Sequence, residues 1–303
     1  MEITDNDVYC LLYSVNEIPK PITQLERSGE GGEHVVFIVN DGFALRIRAD
    51  GLDDGSLVRE KKLWDILGLL KPESPILPIC LGIGIFGSES ANYPYGVYQK
   101  LGGVSVEASP QSVTHATEVD LAAMLLLLKR TPVDAVRVIG VCDAEPVNLN
   151  ELRCRADKAW QRLRKGGHAE DLRHDVDIEE ALQQPEGVAL AAYRPVLLHA
   201  DLKGEHIFID ANTGHVRGVI DWSDACIGHP SVDIHGLAIS IGTTAATRVA
   251  RIAGYSEDIV ARGIFTARCY SIICLDAILD ETDDSPEWLV RLQLQKSLED
   301  IHG

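Results

Sequence analysis

Residues 197–233 read LLHADLKGEHIFIDANTGHVRGVIDWSDACIGHPSVD, and they are the most informative part of the chain. Two short apolar runs, at 195–198 and 207–209, flank a polar loop, and a third run, at 216–220, ends on Asp221. Short apolar runs bounded by turn residues are typical of buried strands. The predicted order is therefore strand, polar loop, strand, turn, strand and a closing carboxylate.

The polar loop has the spacing H-x-D-x-x-x-x-H, with His199, Asp201 and His206 at its fixed positions. In phosphoryl-transfer enzymes, a loop of this kind precedes a strand that ends on a metal-binding aspartate. Phosphoryl transfer needs an oriented acceptor hydroxyl and cations that neutralise the developing charge, and little covalent chemistry from the protein. The pattern therefore predicts a phosphoryl-transfer site.

Each position has an expected role. Asp201 is expected to accept the proton of the acceptor hydroxyl, and Asp221 to bind Mg²⁺, which prefers carboxylate oxygens. His206 stands where such loops usually carry asparagine, so it either binds the metal directly or hydrogen-bonds Asp201 or a metal-bound water. His199 is expected to hold the loop backbone in shape. The alternative is that both aspartates only cap turns at strand ends, which the combined pattern disfavours.

This segment resembles the aminoglycoside phosphotransferase family of small-molecule antibiotic kinases, and His206 makes it most similar to the macrolide phosphotransferase branch. The resemblance continues through 218–225 and 230–233. It implies an α+β, protein-kinase-like two-lobed fold, with a β-rich N-lobe and a helical C-lobe. Residues 1–101 are expected to form the nucleotide-binding lobe, and 102–303 the helical lobe with the catalytic loop and substrate pocket. The implied donor is ATP or GTP, the cofactor Mg²⁺, and the acceptor an aminoglycoside or macrolide.

The chain departs from the family pattern at several positions. Ala200 replaces the usual glycine between His199 and Asp201, which is tolerable if its φ is negative. Lys129 stands where the family usually has histidine. Asp233 is similar to the family aspartate that braces the catalytic loop, so we expect it to support structure.

Composition limits the partners. The 303 residues are 46% hydrophobic and 24% charged, which suits a soluble globular protein of one or two domains. A formal net charge of −18 argues against nucleic acid or an anionic membrane as partner and is compatible with a cationic hydroxyl compound, although it also serves solubility. The acidic N-terminus and seven scattered cysteines without a C-x-x-C pair favour a cytoplasmic protein with reduced thiols. We expect a monomer or a homodimer.

The first hundred residues are rich in strand signals. The sequence N-D-G at 40–42, between apolar runs, predicts a hairpin. A glycine-rich turn is expected over 28–33, where backbone N–H groups would cover the nucleotide phosphates. The residues expected to do so are Ser28, Gly29, Gly31 and Gly32. Because the order G-x-G-x-x-G is missing, a plain surface turn is the alternative.

Two charged residues are expected to complete the nucleotide site. Arg46, on the third strand, is the candidate cation for the phosphates, with Arg48 as the alternative. Glu60, on a predicted helix over 57–70, is expected to pair with that cation, the alternative being a solvated helix face. After the strand that ends at residue 99, the backbones of Gln99 and Leu101 are expected to contact the nucleobase, unless this segment is only a domain linker.

The remaining chain has helical signals over 119–129, 151–163, 179–190, 256–278 and 287–301. A further helix over 232–240 is expected to begin with Ser231 as its N-cap. Acidic residues between Glu170 and Glu180 either face a cationic acceptor or form an exposed surface.

Two rival functions remain open. One is an endogenous metabolite kinase on the same fold, because fold does not fix the substrate. The other is a non-catalytic nucleotide-binding pseudokinase, motivated by Arg46 in place of the usual lysine and by His206. Protein-kinase activity is disfavoured, because Trp222 and Ser223 follow Asp221 where a protein kinase has Phe-Gly.

Overall fold

The computed structural model describes residues 4–31, 34–48, 55–70, 77–88, 91–168, 178–185, 193–283 and 285–299. The chain divides into two compact units, residues 1–102 and 103–303. The first is rich in strands and the second is mainly helical, so the predicted α+β class is confirmed.

The described residues of the first unit form two helices and five strands. They are α1 (Asp5–Ser14), β1 (Leu25–Gly31), β2 (His34–Val39), β3 (Phe43–Arg48), α2 (Ser56–Leu70), β4 (Cys80–Ser88) and β5 (Ala91–Gln99). The strands form an antiparallel sheet in the order β1-β2-β3-β5-β4. Alternate residues of β2 and β3, such as Phe37 and Leu45, are buried against Leu11 and Leu12 of α1.

The hairpin between β2 and β3 is confirmed. Asn40 and Asp41 have φ values of 49° and 53°, the conformation of a two-residue turn that matches the twist of paired strands. The Asn40 side chain also accepts the backbone N–H of Thr23 at 2.8 Å. The hairpin therefore fixes the register that sets Arg46 opposite Val36.

The predicted glycine-rich turn is wrong for its first residues. Ser28, Gly29 and Gly31 belong to β1, in which Ser28 pairs with Val36 and Glu30 with Val35. Gly29 is thus the extra residue of a β-bulge, a position that glycine tolerates well. Gly32 lies outside the described residues.

The second unit holds small sheets among helices. Its elements are β6 (Val104–Ser105), α3 (His115–Arg130), α4 (Val133–Val138), α5 (Leu149–Lys165), α6 (Ile178–Ala181), β7 (Val196–Leu198), β8 (Ile207–Ile209), β9 (Val216–Val219), β10 (Cys226–Gly228), α7 (Ser231–Ile241), α8 (Thr243–Ile252), α9 (Glu257–Leu279) and α10 (Glu287–Ser297). β8 lies between β6 and β9, and β7 pairs with β10. A helical core joins α5, α9 and α10 through Leu152, Phe265, Ile272 and Leu294.

Two helix predictions need correction. Ser231 is not an N-cap: α7 begins at Ser231 itself, after Pro230, and the Ser231 N–H donates to Nδ1 of His229 at 3.1 Å. The helix predicted over 179–190 is described only as the single turn Ile178–Ala181, and 186–192 lie outside the described residues. In the described part of the chain, no helix is long and apolar enough to cross a membrane.

Candidate active site

The loop after β7 is held by one buried carboxylate. Asp233, in the first turn of α7, accepts the backbone N–H of His199 at 3.1 Å and of Ala200 at 2.9 Å. Ala200 has a φ of 69°, so the condition that made alanine acceptable there, a negative φ, is not met. Burial raises the pKa of Asp233 to about 6, against the two N–H donors that favour its charge. The expectation that Asp233 supports the loop agrees with these contacts.

His199 ties the two halves of the site together. Its Nε2–H donates to the carbonyl of Ile220 at 2.9 Å, while its Nδ1 accepts the N–H of Asp201 at 3.2 Å. The ring also lies edge-on to Trp222, with centroids 4.6 Å apart. Burial lowers the pKa of His199 to about 4, so the imidazole is neutral near pH 7. These contacts hold the Asp201 N–H and the Ile220 carbonyl, the backbone groups next to the two carboxylate side chains.

The structure brings Asp201, His206 and Asp221 together. His206 Nδ1–H donates to the Asp201 carbonyl at 2.9 Å, and the same nitrogen lies 3.4 Å from Asp201 Oδ2. In the neutral imidazole the opposite nitrogen, Nε2, is then an acceptor. It lies 3.8 Å from Asp221 Oδ2 and 3.7 Å from Glu205 Oε1. Asp221 has a positive φ of 61°, and its Oδ1 accepts the Ser223 hydroxyl at 2.9 Å.

This donor set fits a cation that retains other ligands. Among the described residues no three His, Cys, Asp or Glu side chains form a complete metal cage. Mg²⁺ is usually held by one or two carboxylates, with waters and substrate phosphates as its other ligands. The His206 Nε2 lone pair and the Asp221 carboxylate suit such a partial set of ligands. They lie on neighbouring backbone segments, because the Ile220 N–H donates to the His206 carbonyl at 2.9 Å.

Lys203 also belongs to this group of side chains, although the sequence motif did not predict it. Its Nζ lies 3.1 Å from Asp201 Oδ1, and its side chain is 46% exposed. Burial opposes its charge, but Asp201 and Glu205 raise the pKa of Lys203 above its usual range. The signal in the sequence that could have indicated this contact is the position of the lysine, two residues after the expected base.

Further carboxylates surround this group. Burial, and then the charges of Asp201 and Asp221, raise the pKa of Asp224. Burial, and then Glu205, raise the pKa of Glu107. The local field is therefore negative and favours the arrival of cations.

In the first unit, Arg46 and Glu60 lie against each other. Arg46 Nη1 is 3.3 Å from both Glu60 carboxylate oxygens, and Arg46 Nη2 is 3.2 Å from Nδ1 of His34. Glu60 is buried at 2% exposure, so a solvated helix face is excluded for it. Arg48, the alternative cation, is buried and contacts the Ser56 hydroxyl at 3.5 Å.

The segment expected to contact a nucleobase follows β5. The Gln99 N–H donates to the Ile79 carbonyl at 3.0 Å, and the Lys100 N–H to the Gly42 carbonyl at 2.9 Å. The Gln99 N–H is therefore used within the sheet. Leu101 lies beyond the strand in irregular backbone and is partly buried.

Comparison with known proteins identifies phosphotransferases as relatives of this chain. A family model described as "APH: Phosphotransferase enzyme family" matches residues 24–265. Viomycin phosphotransferase of Streptomyces vinaceus is 29% identical over 114 residues, which cover 36% of this chain and 40% of the length of that enzyme.

Solved structures are similar over nearly the whole chain. The GDP and kanamycin complex of APH(2")-IIia has a TM-score of 0.67 at 18% identity, covering 96% of this chain and 97% of that chain. The ADP and spectinomycin complex of spectinomycin phosphotransferase, APH(9)-Ia, has a TM-score of 0.64 at 11% identity, covering 99% and 96%. Macrolide 2'-phosphotransferase type I has a TM-score of 0.55 at 19% identity, covering 97% and 98%. These likenesses concern the fold, and they confirm the predicted kinase-like architecture.

Proposed function

Since the chain belongs to the APH phosphotransferase enzyme family, we propose that it transfers the γ-phosphoryl group of a nucleoside triphosphate to a hydroxyl group of a small molecule. The observation that carries this proposal is the grouping of Asp201 and His206, on the loop after β7, with Asp221, which follows β9. Asp233 and His199 hold the backbone of these two segments. A base and a cation-binding carboxylate on adjacent rigid segments are what in-line phosphoryl transfer needs.

Asp201 is the proposed base. Its carboxylate accepts the proton of the acceptor hydroxyl and orients that oxygen toward the phosphorus atom. Lys203 lies 3.1 Å from Oδ1, and His206 Nδ1 lies 3.4 Å from Oδ2, so both carboxylate oxygens have a neighbour that restrains their position. His199 holds the backbone of this loop and exchanges no proton in the reaction.

Asp221 and His206 are the proposed Mg²⁺ ligands. When bound, Mg²⁺ neutralises charge on the phosphoryl oxygens. His206 Nε2 is directed to this side because Nδ1–H is held by the Asp201 carbonyl. Imidazole suits softer divalent ions better than Mg²⁺, so Mn²⁺ is expected to bind at least as well.

The first unit is the proposed nucleotide-binding lobe, and the second is the lobe of the acceptor. Arg46, held by Glu60, is the proposed phosphate contact, together with the backbone of Ser28, Gly29, Gly31 and Gly32. The Gln99 carbonyl and the Leu101 backbone are the proposed nucleobase contacts, with ATP or GTP as donor. We place the enzyme in the cytoplasm, where its seven cysteines, all free thiols, stay reduced.

The proposed acceptor is an antibiotic that carries amines. The relatives named above act on or bind viomycin, kanamycin and spectinomycin, and a macrolide enzyme shares the fold. The carboxylates around Lys203 and the net charge of −18 favour such a cationic compound. The acidic residues of 170–177, expected near the acceptor, lie outside the described part of the chain.

The test is transfer to a mixed panel. Viomycin, kanamycin, spectinomycin, erythromycin, choline and simple sugars are incubated with the protein, Mg²⁺ and ATP or GTP, and each compound is followed by mass spectrometry. The expected result is a gain of one phosphate on an antibiotic. A gain only on choline or a sugar supports a metabolite kinase instead.

A matched pair of variants separates catalysis from binding. Asp201→Asn is expected to lower kcat by about 10²–10⁴-fold, the usual contribution of a positioned base. Asp134→Asn, at an exposed aspartate on α4, is the control and leaves kcat unchanged. If the wild type binds nucleotide without turnover and Asp201→Asn alters nothing, the protein is a non-catalytic nucleotide binder.

A further inference from the structure

A short backbone segment of the second unit lies along β10, on the side away from β7. The Ile227 N–H donates to the Cys142 carbonyl at 2.8 Å, and the Ala144 N–H donates to the Ile227 carbonyl at 2.8 Å. These two bonds form a parallel bridge between Asp143 and Ile227. Because paired residues advance together in parallel strands, Cys142 stands beside Cys226.

The two cysteines also share one face of this small sheet. A Cβ atom added to Gly228 would lie 3.0 Å from the Cβ of Ala144, so the residues after the bridge face each other. Side chains alternate between the two faces of a strand, so the cysteines before the bridge lie on that same face. Neighbouring strands lie about 4.8 Å apart. A disulfide needs Cα atoms about 4.4–6.8 Å apart, so this pair meets its spacing.

Helix α4 holds the 142–144 segment in place. Arg137, near the end of this helix, has its Nη2 2.7 Å from Oδ1 of Asp143 and its Nε 3.3 Å from Oδ2. The Val141 N–H donates to the Val136 carbonyl at 3.1 Å. The position of Cys142 beside β10 is therefore set by contacts on both sides of the segment.

The two thiols differ in exposure. Cys142 is exposed, and its Sγ lies 3.7 Å from the Gly140 carbonyl oxygen, whereas Cys226 is partly buried. Burial, and then the neighbouring aspartates, raise the pKa of Cys226 to about 11, so this thiol is protonated near pH 7. A dissolved reagent therefore reaches and modifies Cys142 first.

We propose that Cys142 and Cys226 form a redox-active dithiol whose reaction partner is a low-molecular-weight disulfide such as glutathione disulfide. The Cys142 thiolate attacks one sulfur of the reagent, which forms a mixed disulfide and releases one glutathione thiolate. The Cys226 thiol then gives its proton to solvent, and its sulfur attacks Sγ of Cys142. This step forms the internal disulfide and releases the second glutathione. The protein loses two electrons and two protons, and the reagent is reduced to two thiols.

The location of the pair suits such a reaction. The second step is intramolecular, so the proximity of the two sulfur atoms offsets the low fraction of Cys226 thiolate. In β10, Cys226 pairs with Leu198, the residue directly before His199, so the new bond ties the 142–144 segment to the sheet that leads into the candidate active site. In a reducing cytoplasm the pair is open, and it closes when small disulfides accumulate. Disulfide formation does not depend on phosphoryl transfer.

Peptide mapping of the oxidised wild type tests the pairing. The reduced protein is incubated with glutathione disulfide at pH 8, its remaining thiols are blocked, and it is digested without reductant for mass spectrometry. We expect a linked pair of peptides that contain Cys142 and Cys226, which dithiothreitol separates. Cys154, an exposed cysteine on α5, is the control and keeps its glutathione as a mixed disulfide.

Two variants test the order of the steps. Cys226→Ser is expected to keep glutathione on Cys142, because the thiol that would displace it is missing. In Cys142→Ser, we expect glutathione to enter position 226 about 10-fold or more slowly than it enters Cys142 in Cys226→Ser, since the remaining thiol is partly buried and protonated.

A second readout measures proximity without oxidation. Dibromobimane joins two thiols that lie close together, and mass spectrometry identifies the joined peptides. We expect a bimane link between Cys142 and Cys226 in the reduced wild type, and no such link in either variant. Glutathione that stays on Cys142 of the wild type with no internal bond overturns the proposal, and so do bimane links confined to other cysteines. Because both decisive measurements use the wild type, a variant that fails to fold does not prevent the decision.

Discussion

Ala200 carries backbone strain at the centre of the candidate site. Its φ of 69° lies in the left-handed region, which alanine enters at a cost of about 1–2 kcal/mol. The strain persists because both N–H groups around it are held by Asp233. Asp221, the other carboxylate of the site, also has a positive φ, at 61°. A strained backbone conformation persists only where surrounding contacts fix it, and here such contacts fix the loop.

Ala200→Gly is therefore expected to stabilise the protein. Glycine removes the strain but loses more backbone freedom on folding, so the net gain is about 0.5–1 kcal/mol in the free energy of unfolding. Urea denaturation of the variant and the wild type measures it. Ala246→Gly, at a buried position inside helix α8, is the opposite control and destabilises. A variant at 200 that is less stable than wild type contradicts the strain argument.

Lys203 is expected to position Asp201 for the reaction. Removing its amine by Lys203→Met leaves the carboxylate without the cation at 3.1 Å and makes the site more negative for the arriving triphosphate. We expect kcat to fall by about 10–100-fold, the size of the loss of one charge-assisted contact in a reaction site. The KM for the acceptor changes less, since Lys203 holds the base.

Two comparisons sharpen that prediction. Lys203→Arg keeps the positive charge, so we expect part of kcat to be retained. The recovery is incomplete because the planar guanidinium group is larger than the lysine ammonium group. Lys158→Met removes an exposed lysine on α5 and leaves kcat unchanged. Equal kcat for Lys203→Met and wild type excludes a positioning role.

At the scale of elements, two side chains of α7 attach this helix to the loop that contains Asp201. Asp233 accepts the backbone N–H groups of His199 and Ala200, and the Ser240 hydroxyl donates to the Leu202 carbonyl at 2.8 Å. Asp233 is 2% exposed and accepts two backbone N–H groups that have no other acceptor among the described residues. Asp233→Ala leaves these donors unsatisfied, so we expect a loss of about 2–4 kcal/mol in the free energy of unfolding. Asp233→Asn keeps one acceptor oxygen and loses about half as much. Urea denaturation compares them with Asp258→Ala, an exposed first-turn residue of α9 whose loss stays within about 0.5 kcal/mol.

The elements differ in how far sequence determines them. The strands around the loop and the N-D-G hairpin were predictable, because apolar runs and turn residues coincide there with local geometry. α1 was not predicted, although Thr4 and Asp7 form a capping box that marks its start. The bulge at Gly29 depends on pairing with β2, so local sequence does not reveal it.

The candidate site likewise contains residues that the sequence predicts and residues that it does not. Asp201, His206 and Asp221 are recognisable because their spacing carries the chemistry. Lys203 follows Asp201 by two residues, but its Nζ reaches the Asp201 carboxylate only because the loop turns back on itself, which the motif does not specify. His235 and Tyr270 stand 35 positions apart along the chain, and their rings stack only because α7 packs against α9. Contacts of this kind arise from tertiary packing, and the sequence motif does not predict them.

For the molecule as a whole, three histidines of the second unit make stability depend on acid pH: the buried His199 and the partly buried His229 and His235. Burial lowers the pKa values of His199, His229 and His235 to about 4. Their pKa in the unfolded chain is about 6.5, so between pH 6.5 and 4 the unfolded state binds more protons than the folded state. Stability contributed by these groups is present above pH 6.5 and is lost as the pH falls. Asp233, with a pKa raised to about 6, acts in the opposite direction and offsets one histidine.

We therefore expect the free energy of unfolding to fall steadily as the pH is lowered from 6.5 to 4.5. Each of these three histidines changes the free energy of unfolding by up to about 1.4 kcal/mol per pH unit. His235→Gln removes one such group, so its stability falls less steeply than that of the wild type, by about 1 kcal/mol per pH unit. Urea denaturation at pH 7, 6, 5.5 and 5 measures both slopes, and His168→Gln, at an exposed histidine, keeps the wild-type slope. Parallel curves for the wild type and His235→Gln would show that His235 binds its proton equally well in the folded and the unfolded protein, which would contradict a lowered pKa for this residue.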